Sequence, residues 1–172
     1  MTSHLWAPWR MEYVTGNESR TGCFFCDYWA DPAADRANLV LARGKHCFAV
    51  LNRYPYNGGH LMVAPARHSS LLEDLCEETL PEVMRLVRVA ERVLRRELRA
   101  DGFNVGFNIG RPAGAGIRDH LHMHVVPRWE GDTNFMPVLD DTRVVPVALE
   151  QLWEQLAPRF AEEVGGREGI VS

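Results

Sequence analysis

His120, His122 and His124 alternate with Leu121, Met123 and Val125 in a run that ends Val126-Pro127-Arg128. In an extended segment side chains change faces with period two, so the three imidazoles share one face and the apolar residues the other. A row of imidazoles is a poor packing solution, because each ring carries polar nitrogens that need partners. Three readings compete. The row is a solvated strand face; or neutral rings on neighbouring positions ligate zinc or iron; or one ring acts as a nucleophile. An imidazole near its ordinary pKa of about 6.5 is a competent nucleophile at pH 7. Its neighbours can fix its tautomer and donate to phosphate oxygens.

The preceding residues favour the nucleophile, with His122 at the centre of the row. Gly106-Phe107-Asn108-Ile109-Gly110 leads into Ala113-Gly114-Ala115-Gly116. Backbone N–H groups of glycine-rich segments approach an anion closely and together form a nest for phosphate oxygens. Such a loop alone is weak evidence. Immediately before three aligned histidines it is considerably stronger evidence for a nucleophile acting beside bound phosphate oxygens.

Cys23-Phe24-Phe25-Cys26 has the spacing of one half of a zinc site, which needs two further ligands to close. The rival is a pair of free thiols or a redox pair. A redox CxxC normally opens a helix after a strand, and nothing before Cys23 reads as a strand. Cys47 and Cys76 stand in apolar contexts and read as buried packing residues. His60 reads equally as a structural histidine near the triad or as a catalytic one. His4 and His46 carry no functional signal.

The elements that must position these residues follow from periodicity. Residues 38–43 and 46–52 read as strands joined at Gly44-Lys45 in a hairpin. Residues 53–59 are a turn by composition, and 60–65 form a third strand closed by Pro65. Val83, Leu86, Val87, Ala90, Val93, Leu94 and Leu98 recur at spacings of three and four, the signature of an amphipathic helix that ends near Ala100. Residues 103–109 and 120–127 read as two more strands, and 147–162 as a final helix. Strands that come as neighbours, with a helix laid on them, predict an α+β domain with an antiparallel sheet.

A chain of 172 residues with a net charge of -4 suits one globular domain. Its basic residues do not cluster, so a nucleic-acid partner is not expected. No segment approaches the roughly 20 apolar residues that span a bilayer, and the N-terminus lacks the pattern of a signal peptide. The expectation is a cytoplasmic protein with reduced thiols and no membrane partner.

The run His120 to Arg128 resembles the signature of the histidine-triad (HIT) family. Phe48 to Asn52, Pro55 to His60 and Pro65-x-x-His68 support it, in the family's order across roughly residues 23–137. The longer runs Leu51 to Val63 and His120 to Phe135 are similar to a bacterial branch of diadenosine tetraphosphate phosphorylases and hydrolases. The resemblance implies an antiparallel sheet of about five strands with one long helix packed on it, plus a C-terminal helix. It implies one HIT-like domain over 1–172: an irregular segment 1–37 with the CxxC, a core 38–137 and an extension 138–172.

The resemblance also implies roles. His122 attacks the α-phosphorus and forms a nucleotidyl-histidine intermediate, which water or inorganic phosphate resolves. His124 donates a hydrogen bond to a phosphate or leaving-group oxygen. Asn52 would contact the ribose and Asn108 the phosphate or leaving group. Backbone N–H groups at Gly114, Ala115 and Gly116 would clamp the oxyanion. Phe48 and Val50 could line a base pocket, although a strand interior needs such residues anyway. Structural zinc would take Cys23, Cys26, His68 and His120, with no organic cofactor, and the family usually forms a homodimer. Many hydrolases of the family carry Gln or Ser after the glycines; this chain has Ile117 there, so hydrolysis and phosphorolysis stay open. The alternatives are a nucleoside phosphoramidase, a nucleotide-binding regulatory protein with little catalysis, and a metalloenzyme using all three histidines.

Overall fold

A computed structural model of the chain describes residues 22–113, 119–132 and 148–166. The expected nest at Gly114, Ala115 and Gly116 lies outside them. Five strands form one antiparallel sheet in the order β1-β2-β3-β5-β4. β1 (Val40–Arg43) and β2 (Cys47–Leu51) make the expected hairpin, with Arg43 opposite Phe48. Gly44 in its turn is required by close approach: a Cβ there would sit 1.9 Å from Glu82 Oε1. That buried carboxylate accepts the N–H groups of His46 (3.0 Å) and Cys47 (3.3 Å), tying the hairpin to the long helix.

β3 (Leu61–Pro65) pairs with β2 on one side and β5 (Met123–Arg128) on the other, and β4 (Gly102–Phe107) closes the edge. The long helix, Thr79–Leu98, buries Val83, Leu86, Val87, Ala90, Val93 and Leu94, as its spacing predicts. They meet Cys47, Ala49, Leu51, Leu61, Val63, Met123 and Val125, the inward residues of alternating strands. Each fully buried Val or Leu of this layer contributes about 1.5–3 kcal/mol by leaving water. The helix ends at Arg99, whose φ of 53° turns the chain back towards β4. The last helix, Leu149–Gly165, adds Leu152, Leu156 and Phe160 to the same core, and Trp153 Nε1 donates to the Val40 carbonyl at 2.7 Å.

The opposite face of the sheet carries a smaller cluster of Phe25, Val40, Phe48, Val50, Met62 and Ala64. Among the described residues the α-helices are, in chain order, α1 (Phe24–Ala30), α2 (Asp35–Asn38), α3 (Thr79–Leu98) and α4 (Leu149–Gly165). The segment read as irregular therefore contains two short helices. Neither is long enough to be stable alone, which is why no period reveals them. Arg43 anchors them by pairing with Asp35 and donating to the carbonyls of Trp29 (3.0 Å) and Tyr28 (2.5 Å).

Two further expectations are corrected. The strand expected at 120–127 begins only at Met123: Leu121 gives its N–H to Ser69 O at 2.6 Å, so His120 to His122 lead into the sheet without joining it. Cys76 is exposed rather than buried, with Thr79 Oγ1 3.0 Å from its sulfur, whereas Cys47 is buried as read. Among the described residues no helix is long and apolar enough to cross a membrane.

Candidate active site and metal centre

The three triad imidazoles gather on the sheet face opposite α3. Phe25 lies against both His120 and His122, with ring centroids 5.1 and 5.2 Å away, and the His122 and His124 rings meet edge-on at 4.8 Å. His122 is buried, and its Nδ1 is 2.9 Å from the carbonyl oxygen of His120. A carbonyl only accepts, so Nδ1 carries the proton and the lone pair of a neutral ring sits on Nε2. Burial lowers the pKa of His122, and the bond to His120 only partly opposes it. The ring is therefore held neutral with a defined nucleophilic nitrogen.

His124 is set by a chain of donors. The N–H of Tyr56 donates to His60 Nδ1 at 3.1 Å, and His60 Nε2 lies 3.0 Å from His124 Nδ1. With Nδ1 accepting, a neutral His60 carries its proton on Nε2 and gives it to His124 Nδ1. The proton of a neutral His124 is then on Nε2, the tautomer suited to donate to an oxygen. His60 is buried and stacks on Tyr56 at 4.7 Å. The turn before it depends on Gly59, whose φ is 83° and where a Cβ would come within 2.7 Å of Leu98. His60 was undecided from sequence; the glycine directly before it was the available signal that the backbone there is constrained.

Asn52 lies beside His60: its Nδ2 is 3.4 Å from His60 Nδ1, and its Oδ1 accepts the Tyr54 N–H at 2.9 Å. Asn108 leaves the sheet one residue after Phe107, whose partner is Met123, so the chain carries it to the level of His122. Phe48 and Val50 belong to the small cluster under Phe25, so their first duty is packing.

His120 faces the other way. Its Nε2 donates to the Pro65 carbonyl at 2.8 Å, which places its lone pair on Nδ1. Nδ1 lies 3.2 Å from Cys23 Sγ and 3.6 Å from Cys26 Sγ, and Cys26 Sγ lies 3.4 Å from His68 Nδ1. The four ligand atoms are all within 4.8 Å of one another, a group that could hold a metal ion. Burial first, then Cys23, pushes the Cys26 thiol up to about 11. A thiol so placed resists becoming a thiolate unless a cation stabilises it. Burial also lowers the pKa of His120, favouring the neutral ring that a metal requires. What the sequence missed is Phe25, one of the two residues between the cysteines, whose ring joins this cluster to His122.

A family model described as HIT domain matches residues 35–131. An AP-4-A phosphorylase of Mycobacterium tuberculosis is 42% identical over 165 residues, covering 92% of this chain and 85% of the relative. Among solved structures, a Zn-bound histidine triad family protein from Mycobacterium smegmatis aligns with a TM-score of 0.66 and 25% identity over 85% of this chain and 98% of that one. A histidine triad nucleotide-binding protein from Sulfolobus tokodaii aligns with a TM-score of 0.62 and 27% identity over 84% of this chain and 93% of that one.

Proposed function

The chain belongs to the HIT domain family, and from that premise we propose that it is an enzyme that splits dinucleoside polyphosphates, diadenosine tetraphosphate first among them, through a nucleotidyl-histidine intermediate on His122. The observation that carries this is the tautomer of His122: a buried neutral ring with Nδ1–H on the His120 carbonyl presents Nε2 as the attacking atom. Nε2 forms a bond to the α-phosphorus as the bond to the bridging oxygen breaks. For diadenosine tetraphosphate the leaving group is ATP, and His124 donates from Nε2 to its oxygen. Phosphate then attacks the P–N bond and releases ADP, or water does so and releases AMP, restoring the ring. Asn52, Asn108 and the backbone at Gly114, Ala115 and Gly116 are assigned to hold ribose and phosphate oxygens through this exchange.

Phosphorolysis is the favoured second step, because the Mycobacterium tuberculosis relative is named for it. Incubation with diadenosine tetraphosphate, with and without inorganic phosphate, tests this. ADP plus ATP only when phosphate is present is expected. AMP plus ATP in either condition would mark a hydrolase, and turnover of adenosine phosphoramidate alone would sink the reading.

For Cys23, Cys26, His68 and His120 we infer structural zinc. Tetrahedral zinc, with Zn–S about 2.3 Å and Zn–N about 2.0–2.1 Å, separates sulfur and nitrogen ligands by about 3.5 Å. Three of the separations here, at 3.2–3.6 Å, match it, and all of them stay within 4.8 Å. When bound, the ion supplies charge that stabilises the thiolates and ties α1 to the segment before β5; the His122 chemistry does not pass through it. The same reading includes a homodimer, supported by the edge position of β4 and the exposure of its Val105. Light scattering on the purified protein at a single-chain mass would remove it.

A further inference from the structure

We propose that occupancy of the Cys23, Cys26, His68 and His120 cluster sets the position of the His122 ring, with His120 and Phe25 as the two positioning residues, so that metal loading regulates the nucleophile. This rests on the cluster being a zinc site and adds that the site governs the reaction.

His120 makes the first link. Its ring faces the cluster through Nδ1, and its own backbone carbonyl accepts the Nδ1–H of His122. One residue is thus a ligand by side chain and a tautomer clamp by backbone. The ring has two fixed points, Pro65 O on Nε2 and the cluster on Nδ1. Without a cation the second fixed point is only a contact with cysteine sulfurs, a weak hydrogen bond at best.

Phe25 makes the second link. It stands in sequence between Cys23 and Cys26, is fully buried, and its ring packs on His120, His122 and, at 6.0 Å, Phe48. The helix that carries it has seven residues, and its N-cap, Cys23, makes no side-chain capping bond. A helix this short does not hold itself together. Arg43 fixes its far end through the carbonyls of Tyr28 and Trp29. Metal ligation at Cys23 and Cys26 fixes its near end. Phe25 lies in sequence between Cys23 and Cys26 and its ring packs on His122, so the ring is held there when both sulfurs are ligated and gains freedom when they are not.

The test compares full-length zinc-loaded protein, the same protein stripped by a chelator and then reloaded, and the variants His68→Ala, Phe25→Ala and Phe25→Met. His68 is exposed, so its removal weakens the cluster without opening the core. Three quantities are read: zinc per chain, kcat and KM for diadenosine tetraphosphate, and the ring N–H resonance of His122 in histidine labelled with ¹⁵N. Stripping zinc is expected to lower kcat about tenfold or more, the usual effect of losing support around a site, with little change in KM. The His122 ring signal should broaden in parallel and return with zinc. His68→Ala should reproduce the loss. Phe25→Ala should keep zinc yet lose kcat and the signal, and Phe25→Met, which fills the same space, should recover most of both.

Zinc that binds and leaves with kcat and the ring signal unchanged overturns the coupling while the zinc site stands. Unfolding of the sheet on zinc removal also overturns it, because the loss is then one of fold. A protein that takes up no zinc overturns both the coupling and the zinc reading.

Discussion

His120 and His122 stand two residues apart, are both buried, and both have pKa values lowered first by burial. Each gives one ring proton to a backbone carbonyl, but through opposite nitrogens. His120 uses Nε2 and turns Nδ1 to the sulfurs; His122 uses Nδ1 and keeps its lone pair on Nε2. The carbonyl that each ring meets therefore decides its job. In the reading proposed above, identical side chains in one run serve as a metal ligand and a nucleophile because the carbonyl that each ring meets leaves a different nitrogen with the lone pair.

The comparison breaks most sharply if the two rings can stand in for each other. His122→Ala is expected to cut turnover of diadenosine tetraphosphate by at least about 10³-fold, as loss of a nucleophile does elsewhere. It should keep its zinc and its thermal stability, read by metal analysis and calorimetry. Near wild-type turnover would end the assignment. Cys23→Ser should do the reverse: metal affinity about 10–100-fold weaker and a lower Tm, with a smaller loss of turnover than His122→Ala. A Cys23→Ser protein that holds zinc as tightly as wild type would remove the cluster from the comparison.

The core side of this molecule was legible because its elements are periodic. The long helix and the alternating strands read directly, and the sheet has the expected five strands. The site face was legible only in part. The alternation of the triad was visible, but the point where the strand starts was not, since it depends on Ser69 O capturing the Leu121 N–H from another part of the chain. The tautomers were not legible either: that of His120 is set by the Pro65 carbonyl, far away in sequence, and that of His122 by the carbonyl of His120, at a point where the chain has not yet joined the sheet. α1 escaped notice for the same reason: seven residues have no readable period, and tertiary anchors make the helix. The apparent apolar context of Cys76 misled, because the acidic Glu77 and Glu78 beside it carry the chain out to solvent.

A milder probe extends the comparison to His124. If His60 fixes its tautomer, His60→Ala removes the donor to His124 Nδ1 and lets the proton of His124 sit on either nitrogen. The expected loss is about tenfold in kcat, below the 10²–10⁴ range of removing a general acid outright. It should shrink for a substrate with a good leaving group such as p-nitrophenol, which needs no proton. An equal loss with both substrates would mean that His60 supports the fold and not the proton.

The smallest effect lies in pH. Burial penalises the imidazolium form of His122, so its pKa in the folded chain lies below the ordinary value of about 6.5. The acid limb of kcat/KM for the free enzyme should accordingly fall below about pH 6.5, because the nucleophile stays neutral where an exposed histidine would already be charged. Stability follows the same sign. Between the ordinary and the lowered value the unfolded chain binds more protons than the folded one. The contribution is therefore complete above about pH 6.5 and is lost as the pH falls towards the folded value. His120 is shifted in the same direction for the same first reason, so both halves of the comparison weaken together on acidification. A kcat/KM profile whose acid limb lies at or above pH 6.5 would show that the His122 pocket of the free enzyme is wet, and that its neutrality does not come from burial.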